Sequence, residues 1–171
     1  MIHRAKRLIM KTALMSELNV LANQLARITR LDRRTRDFTL NNLRDALLEV
    51  IACFPVYRTY ISGGNVAAED RRFVDWAVTV AKNRNRAVEA SMFDFIRAVL
   101  LTETNGGSSE RREAVLRFAM KFQQVTGPVM AKGVEDTCFY IYNRLVSLNE
   151  VGSDPRHFGT SVAAFHHANQ E

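Results

Sequence analysis

A mainly α-helical fold with at most one or two short strands is what this sequence predicts, on three observations. Apolar residues recur every three or four positions in several separate stretches, as they do in helices that each bury one face. Helix breakers are scarce, three prolines and eight glycines in 171 residues. Only the run 56–61 has the β-branched and aromatic content of a strand. A hydrophobic fraction of 47% with 25% charged residues excludes a disordered or low-complexity chain. The length suits one domain that buries about 70% of the unfolded chain's surface.

Residues 4–30 read as one long helix, because Leu14, Leu18, Leu21, Leu25 and Ile28 form a single seam at heptad spacing. The polar run DRRTRDFT breaks it and offers Asp37 or Thr39 as the next cap. Leu40, Leu43, Leu47, Val50 and Ile51 then repeat the spacing, which predicts an antiparallel helical hairpin. Pro55 ends the second helix, VYRTYI (56–61) predicts a short strand, and SGGN (62–65) a turn. A helix over 67–84 places Phe73, Trp76, Ala77 and Val80 on its inner face, and one over 88–101 uses Phe93, Ile96, Val99 and Leu100. TNGGSS (104–109) is the clearest loop, and Val115, Phe118, Ala119 and Phe122 mark a helix over 110–124.

The character changes at residue 126. Polar residues become dense, and Gly127, Pro128, Gly133, Gly152, Pro155 and Gly159 punctuate the chain. The expectation is irregular backbone shaped around something, with a helix over 135–147 and at most a second short strand over 128–131. SVAAFHHANQE begins a helix and stops without a cap or a glycine, as a piece of a longer protein would.

The net charge is +6, but residues 1–36 hold nine basic and two acidic side chains, and the remainder fifteen and sixteen. The excess is therefore local, with Arg30, Arg33, Arg34 and Arg36 clustered. No aromatics interleave these arginines and no short turn leads from them to a recognition helix, so they read as a solvated face rather than a nucleic-acid site. No apolar run approaches the roughly 20 residues of a membrane span. Two cysteines, Cys53 and Cys138, are too few for a disulfide framework, which points to a reducing, cytoplasmic setting.

Glu135 and Asp136 are adjacent acids. On a helix they point about 100° apart, so they cannot clamp a glycosidic bond between carboxyls about 5 to 5.5 Å apart. They are helix N-terminal acids favoured by the macrodipole, or binding residues. His167 and Glu171 are spaced to share a metal, but no third ligand stands at a suitable spacing, His3 and His157 are isolated, and no metal is expected. Cys138 has no neighbouring His and reads as a buried structural thiol. No glycine pattern cradles phosphate, and no cofactor is expected. One constellation stands out: Lys132 between Ala131 and Gly133, followed by Glu135, Asp136, Tyr140, Tyr142, Asn143 and Arg144. Such donors and acceptors read sugar hydroxyls.

The blocks FPVYRTY (54–60), TGPVMAKGVEDTCFYIYNRLVSLNEVGSDP (126–155) and FHHAN (165–169) resemble the maltooligosyl trehalose synthase family of the α-amylase superfamily. The resemblance covers most of the chain and is tightest over 126–155. It implies an intramolecular transglucosylase, an isomerase of trehalose biosynthesis, that converts the reducing-end α-1,4 link of a maltooligosaccharide to α,α-1,1. It further implies that residues 1–125 are the helical insertion subdomain of a (β/α)8-barrel enzyme, and that 126–171 return to the barrel and line its sugar cleft. In that family the nucleophile and acid/base precede the helical region, and a catalytic aspartate follows the FHxxN-like motif. No catalytic residue would then lie in this chain, which alone would be inactive. Lys132 matches a lysine on the acceptor side of the cleft, and the substrate-binding set becomes Lys132, Glu135, Asp136, Tyr140, Asn143, Arg144 and Arg58. The implied partners are a maltooligosaccharide and the rest of the barrel. Cys138, Ile141 and Ser153 stand where the pattern has Ala, Arg and Gly, and Ile141 removes a charge beside the site. The alternative is a stand-alone basic helical module that binds nucleic acid or an acidic protein.

Overall fold

The computed structural model describes residues 1–63, 66–103 and 108–170, and among them there is no strand. The expected 4–30 helix is two helices, α1 (Ile2–Lys11) and α2 (Met15–Arg30). At the break the Thr12 hydroxyl donates to the Leu8 carbonyl at 2.9 Å, and the Leu14 N–H reaches the Ile9 carbonyl at 2.9 Å. A threonine bonded back to the i−4 carbonyl bends a helix. The bend lets α1 bury Ala5, Lys6 and Met10 while α2 buries Leu18, Leu21, Leu25 and Ile28. α3 (Leu40–Cys53) is capped by Thr39 rather than Asp37, its hydroxyl accepting from the Asn42 N–H at 3.3 Å. α2 and α3 pack together as the paired seams require.

α4 (Ala68–Arg84) buries Val74, Ala77, Val78 and Ala81, not the face centred on Phe73, Trp76 and Val80. Small residues let α4 sit close against α3 and α5, and Trp76 is turned outward, 51% exposed. α5 (Ala90–Leu100) and α6 (Ser109–Met130) bury the residues their spacing predicted. α6 is the central helix, touching α1, α2, α3 and α5. On it Phe122 meets the Phe54 ring edge-on at 5.3 Å and lies 6.4 Å from Phe118. Of the two predicted connections, residues 64–65 of the SGGN turn and 104–107 of the TNGGSS loop lie outside the described residues. Ser108 caps α6, accepting from the Arg111 N–H at 3.2 Å, so Ser109 is helix rather than loop.

Neither predicted strand forms. Residues 56–61 are not helical, but the partner of their end is a side chain. Gln123 of α6 accepts from the Ile61 N–H at 2.6 Å and donates to the Ile61 carbonyl at 2.9 Å, doing for Ile61 what a neighbouring strand would do. Residues 128–131 are helical, because α6 continues through Gly127 and Pro128 to Met130. The chain then widens into a π-helix, Ala131–Cys138, a form that often occurs at functional sites. α7 (Phe139–Ile141) is its last turn, so the helix expected over 135–147 is over by residue 141. The Asn149 amide ends it by donating to the carbonyls of Phe139, at 2.8 Å, and Tyr142. A 3-10 turn (Val146–Leu148), irregular backbone and α8 (Val162–Ala168) complete the described chain. No helix among the described residues is long and apolar enough to cross a membrane.

Candidate functional site

Two cavities flank the π-helix. The first, about 620 Å³, lies between α1, the end of α3, α4 and residues 152–156, with Tyr57, Trp76 and Phe139 in its wall. The second, about 430 Å³, is formed by the π-helix, α7 and residues 142–151. Phe139 lines both.

α1 holds the π-helix in place through Lys6 and Gly133. Lys6 is 2% exposed, and its ammonium donates to the Phe54 carbonyl at 2.8 Å. Burial lowers its pKa from 10.5 to about 8, partly opposed by Cys53 and Cys138. Its stem runs across Gly133, where a methyl group would lie 2.8 Å from Lys6 Cγ. The same lysine thus joins α1, the start of the 54–61 segment and the π-helix.

The second cavity brings together Glu135, Asp136, Tyr140 and Asn143 of the predicted set. Lys132 lines neither cavity; it is half exposed, with its ammonium 4.0 Å from the carboxylate of Asp136, which lines the second. Arg58 and Arg144 line neither cavity. Arg58 stacks over Tyr60 at 4.7 Å, and Arg144 over Phe158 at 5.6 Å. Six further residues line the second cavity: Phe139, Tyr142, Val146, Asn149, Glu150 and Val151. The Asn149 side-chain oxygen is buried without a hydrogen-bond partner among the described residues. Tyr57 connects the two cavities, its hydroxyl donating to Glu135 Oε1. That bond pushes the Tyr57 hydroxyl up to about 12, so it remains a donor at ordinary pH. The sequence signal for Tyr57 is its place in FPVYRTY, beside Arg58.

The three positions that depart from the resemblance have distinct surroundings. Cys138 is buried, and burial pushes its thiol up. Ile141 is 60% exposed at the end of α7. Ser153 accepts from the Glu150 N–H and donates to the Leu148 carbonyl, closing the turn before Asp154. Hydrogen bonds from Arg156 hold the Asp154 carboxyl well below the usual carboxylate range.

His3 is not isolated. Its ring nitrogen bonds Glu49 Oε1, Arg7 takes Oε2, and the Cys53 thiol stands 3.9 Å from Oε1. The His3, Glu49 and Cys53 donor atoms lie within 4.8 Å of one another. Glu49, 2% exposed, already has a partner on each oxygen. Burial and Glu49 push the Cys53 thiol up to about 11, which keeps it protonated. Lys6 and Arg84 add positive charge around that thiol. A dication gains little there, and the cluster is a buried ion pair that ties α1 to α3. Glu171, the other half of the sequence's metal pair with His167, lies outside the described residues.

No protein-family profile matches the chain. Over 49 residues, 29% of its length, it is 59% identical to provisionally named maltooligosyl trehalose synthases from two strains of Mycobacterium tuberculosis. Its fold matches a point mutant of maltooligosyltrehalose synthase from Arthrobacter ramosus, with a TM-score of 0.73 and 32% identity over 99% of the chain. The chain spans 6% of the curated relatives' length and 18% of the structural neighbour's. The resemblance read from the sequence therefore holds in sequence and in fold: the chain is similar, nearly end to end, to a segment of a maltooligosyl trehalose synthase.

Proposed function

We propose that this chain is the helical insertion and one wall of the sugar cleft of an intramolecular transglucosylase. That enzyme converts the reducing-end α-1,4 link of a maltooligosaccharide to α,α-1,1. Residues 1–125 are the insertion, and 126–171 the segment that returns to the barrel. The observation that carries this reading is the match of 99% of the chain to a maltooligosyltrehalose synthase fold at 32% identity. The second cavity supports it chemically, since Glu135, Asp136, Tyr140 and Asn143 offer the acceptors and donors that sugar hydroxyls need. Lys132 supplies a cation next to Asp136 of that cavity, free to leave it for a ligand because the pair is long and exposed. The nucleophile and the acid/base belong to the remainder of the enzyme, in the cytoplasm.

Covalent glycosyl transfer needs two carboxyls facing one another across the bond. Glu135 and Asp136, adjacent on one helical segment, do not provide that. The chain alone therefore makes no trehalosyl product from maltopentaose. The test is a chimera in which residues 1–171 replace the matching segment of the Arthrobacter ramosus enzyme. A folded chimera that forms trehalosyl sugars supports the reading. A folded chimera without that activity, or turnover by the isolated chain, overturns it.

A further inference from the structure

We propose that Tyr57 is a positioning residue, holding the Glu135 carboxylate by one oxygen so that the other stays available to sugar hydroxyls in the second cavity. The inference rests on the carbohydrate reading of that cavity.

Tyr57 lies on a segment fixed at both ends. The Phe54 side chain is buried and its carbonyl is held by Lys6, and both backbone groups of Ile61 are held by Gln123. The backbone on either side of Tyr57 is therefore held by the core, while the residue itself is 42% exposed. Glu135 is a long side chain on the π-helix, and its one hydrogen bond among the described residues is from Tyr57 to Oε1. An unheld glutamate would lose rotamer freedom on binding a ligand, whereas one already ordered by Tyr57 has lost it beforehand. Oε2 remains for a hydroxyl donor. Tyr57 lines the first cavity and Glu135 the second, so Tyr57 acts on a sugar in the second cavity through Glu135.

Maltopentaose binding to the folded chimera that carries residues 1–171, followed by NMR, tests this with Tyr57→Phe, Glu135→Gln and the double variant. Tyr57→Phe keeps the ring and removes the hydroxyl, and should weaken binding about three- to tenfold with the thermal midpoint unchanged. Glu135→Gln should weaken it as well, and the double variant no further than Glu135→Gln alone, because the two residues act as one unit. A readout without sugar accompanies it. In the chimera carrying ¹³C-labelled tyrosine, the Tyr57 signal should stay unshifted when the other tyrosines titrate, and should join them in Glu135→Gln. Additive losses in a chimera that binds overturn the inference alone, as does a Tyr57 that titrates with the rest. Absence of binding by the folded chimera without these substitutions overturns the carbohydrate reading and the inference together.

Discussion

Lys6 crosses Gly133 so closely that a methyl group on the glycine would lie 2.8 Å from Lys6 Cγ and 3.1 Å from its Cα. The second distance matters more, because a backbone atom cannot swing aside. α1 can therefore reach the π-helix only where residue 133 has no side chain.

Gly133→Ala should destabilise the chain. Overpacking costs about 1 to 3 kcal/mol, and alanine's better helix propensity returns up to about 1 kcal/mol. The expected net loss is about 1 to 2 kcal/mol in a urea titration. A variant as stable as the parent would contradict the close approach.

Lys6 and Cys53 should give opposite pH dependences. Lys6 holds its proton less well folded, about 8, than unfolded, 10.5. Its penalty is full below about pH 8, and stability rises from there towards 10.5 as the native side chain is already neutral. Cys53 is raised from 9.0 to about 11, so the unfolded thiol ionises first and stability falls across that window. The chain should gain stability from pH 8 to 9 and then level off. Lys6→Met should remove the rise, worth roughly 3 kcal/mol at most, and leave only the fall. Denaturation midpoints across about pH 7 to 11 check this, and identical profiles for both chains would refute it.

Gln123→Met should release the end of the 54–61 segment. It leaves the Ile61 N–H and carbonyl without partners, at about 1 to 3 kcal/mol for each buried group. Amide exchange at Ile61 should accelerate while amides in α2 and α5 keep their protection. An unchanged Ile61 rate would mean that another group holds the segment.

The helices that bury a plain apolar stripe were legible in the sequence: α2, α3, α5 and most of α6 follow directly from leucine and phenylalanine spacing. What the spacing did not reveal lies in polar groups acting at a distance. Thr12 bends a seam that reads as continuous. Gln123 replaces a strand that 56–61 has the composition to pair with. At 126–138, glycine and proline suggest loop, but the helix continues because Val125, Val129 and Cys138 are buried along it and Gly133 gives Lys6 room. Composition pointed to 132–143, where sugar-reading side chains are dense, and the structure gathers Glu135, Asp136, Tyr140 and Asn143 of them around the second cavity. It could not separate Glu135 and Asn143, which share a cavity, from Arg58 and Arg144, which stack on aromatic rings outside it.

If this chain walls a sugar cleft, Lys132 stands beside the Asp136 that lines it. A charged hydrogen-bond donor is worth roughly 1.5 to 3 kcal/mol, so Lys132→Ala in the full-length enzyme should lower kcat/KM about ten- to a hundredfold. The more direct measurement is the ratio of trehalosyl product to released glucose, because a loosely held glucose escapes before it can be re-attacked. The account predicts that Lys132→Ala shifts this ratio towards glucose with folding unchanged. An unchanged ratio together with an unchanged kcat/KM would make Lys132 ordinary surface and contradict the assignment of the cleft.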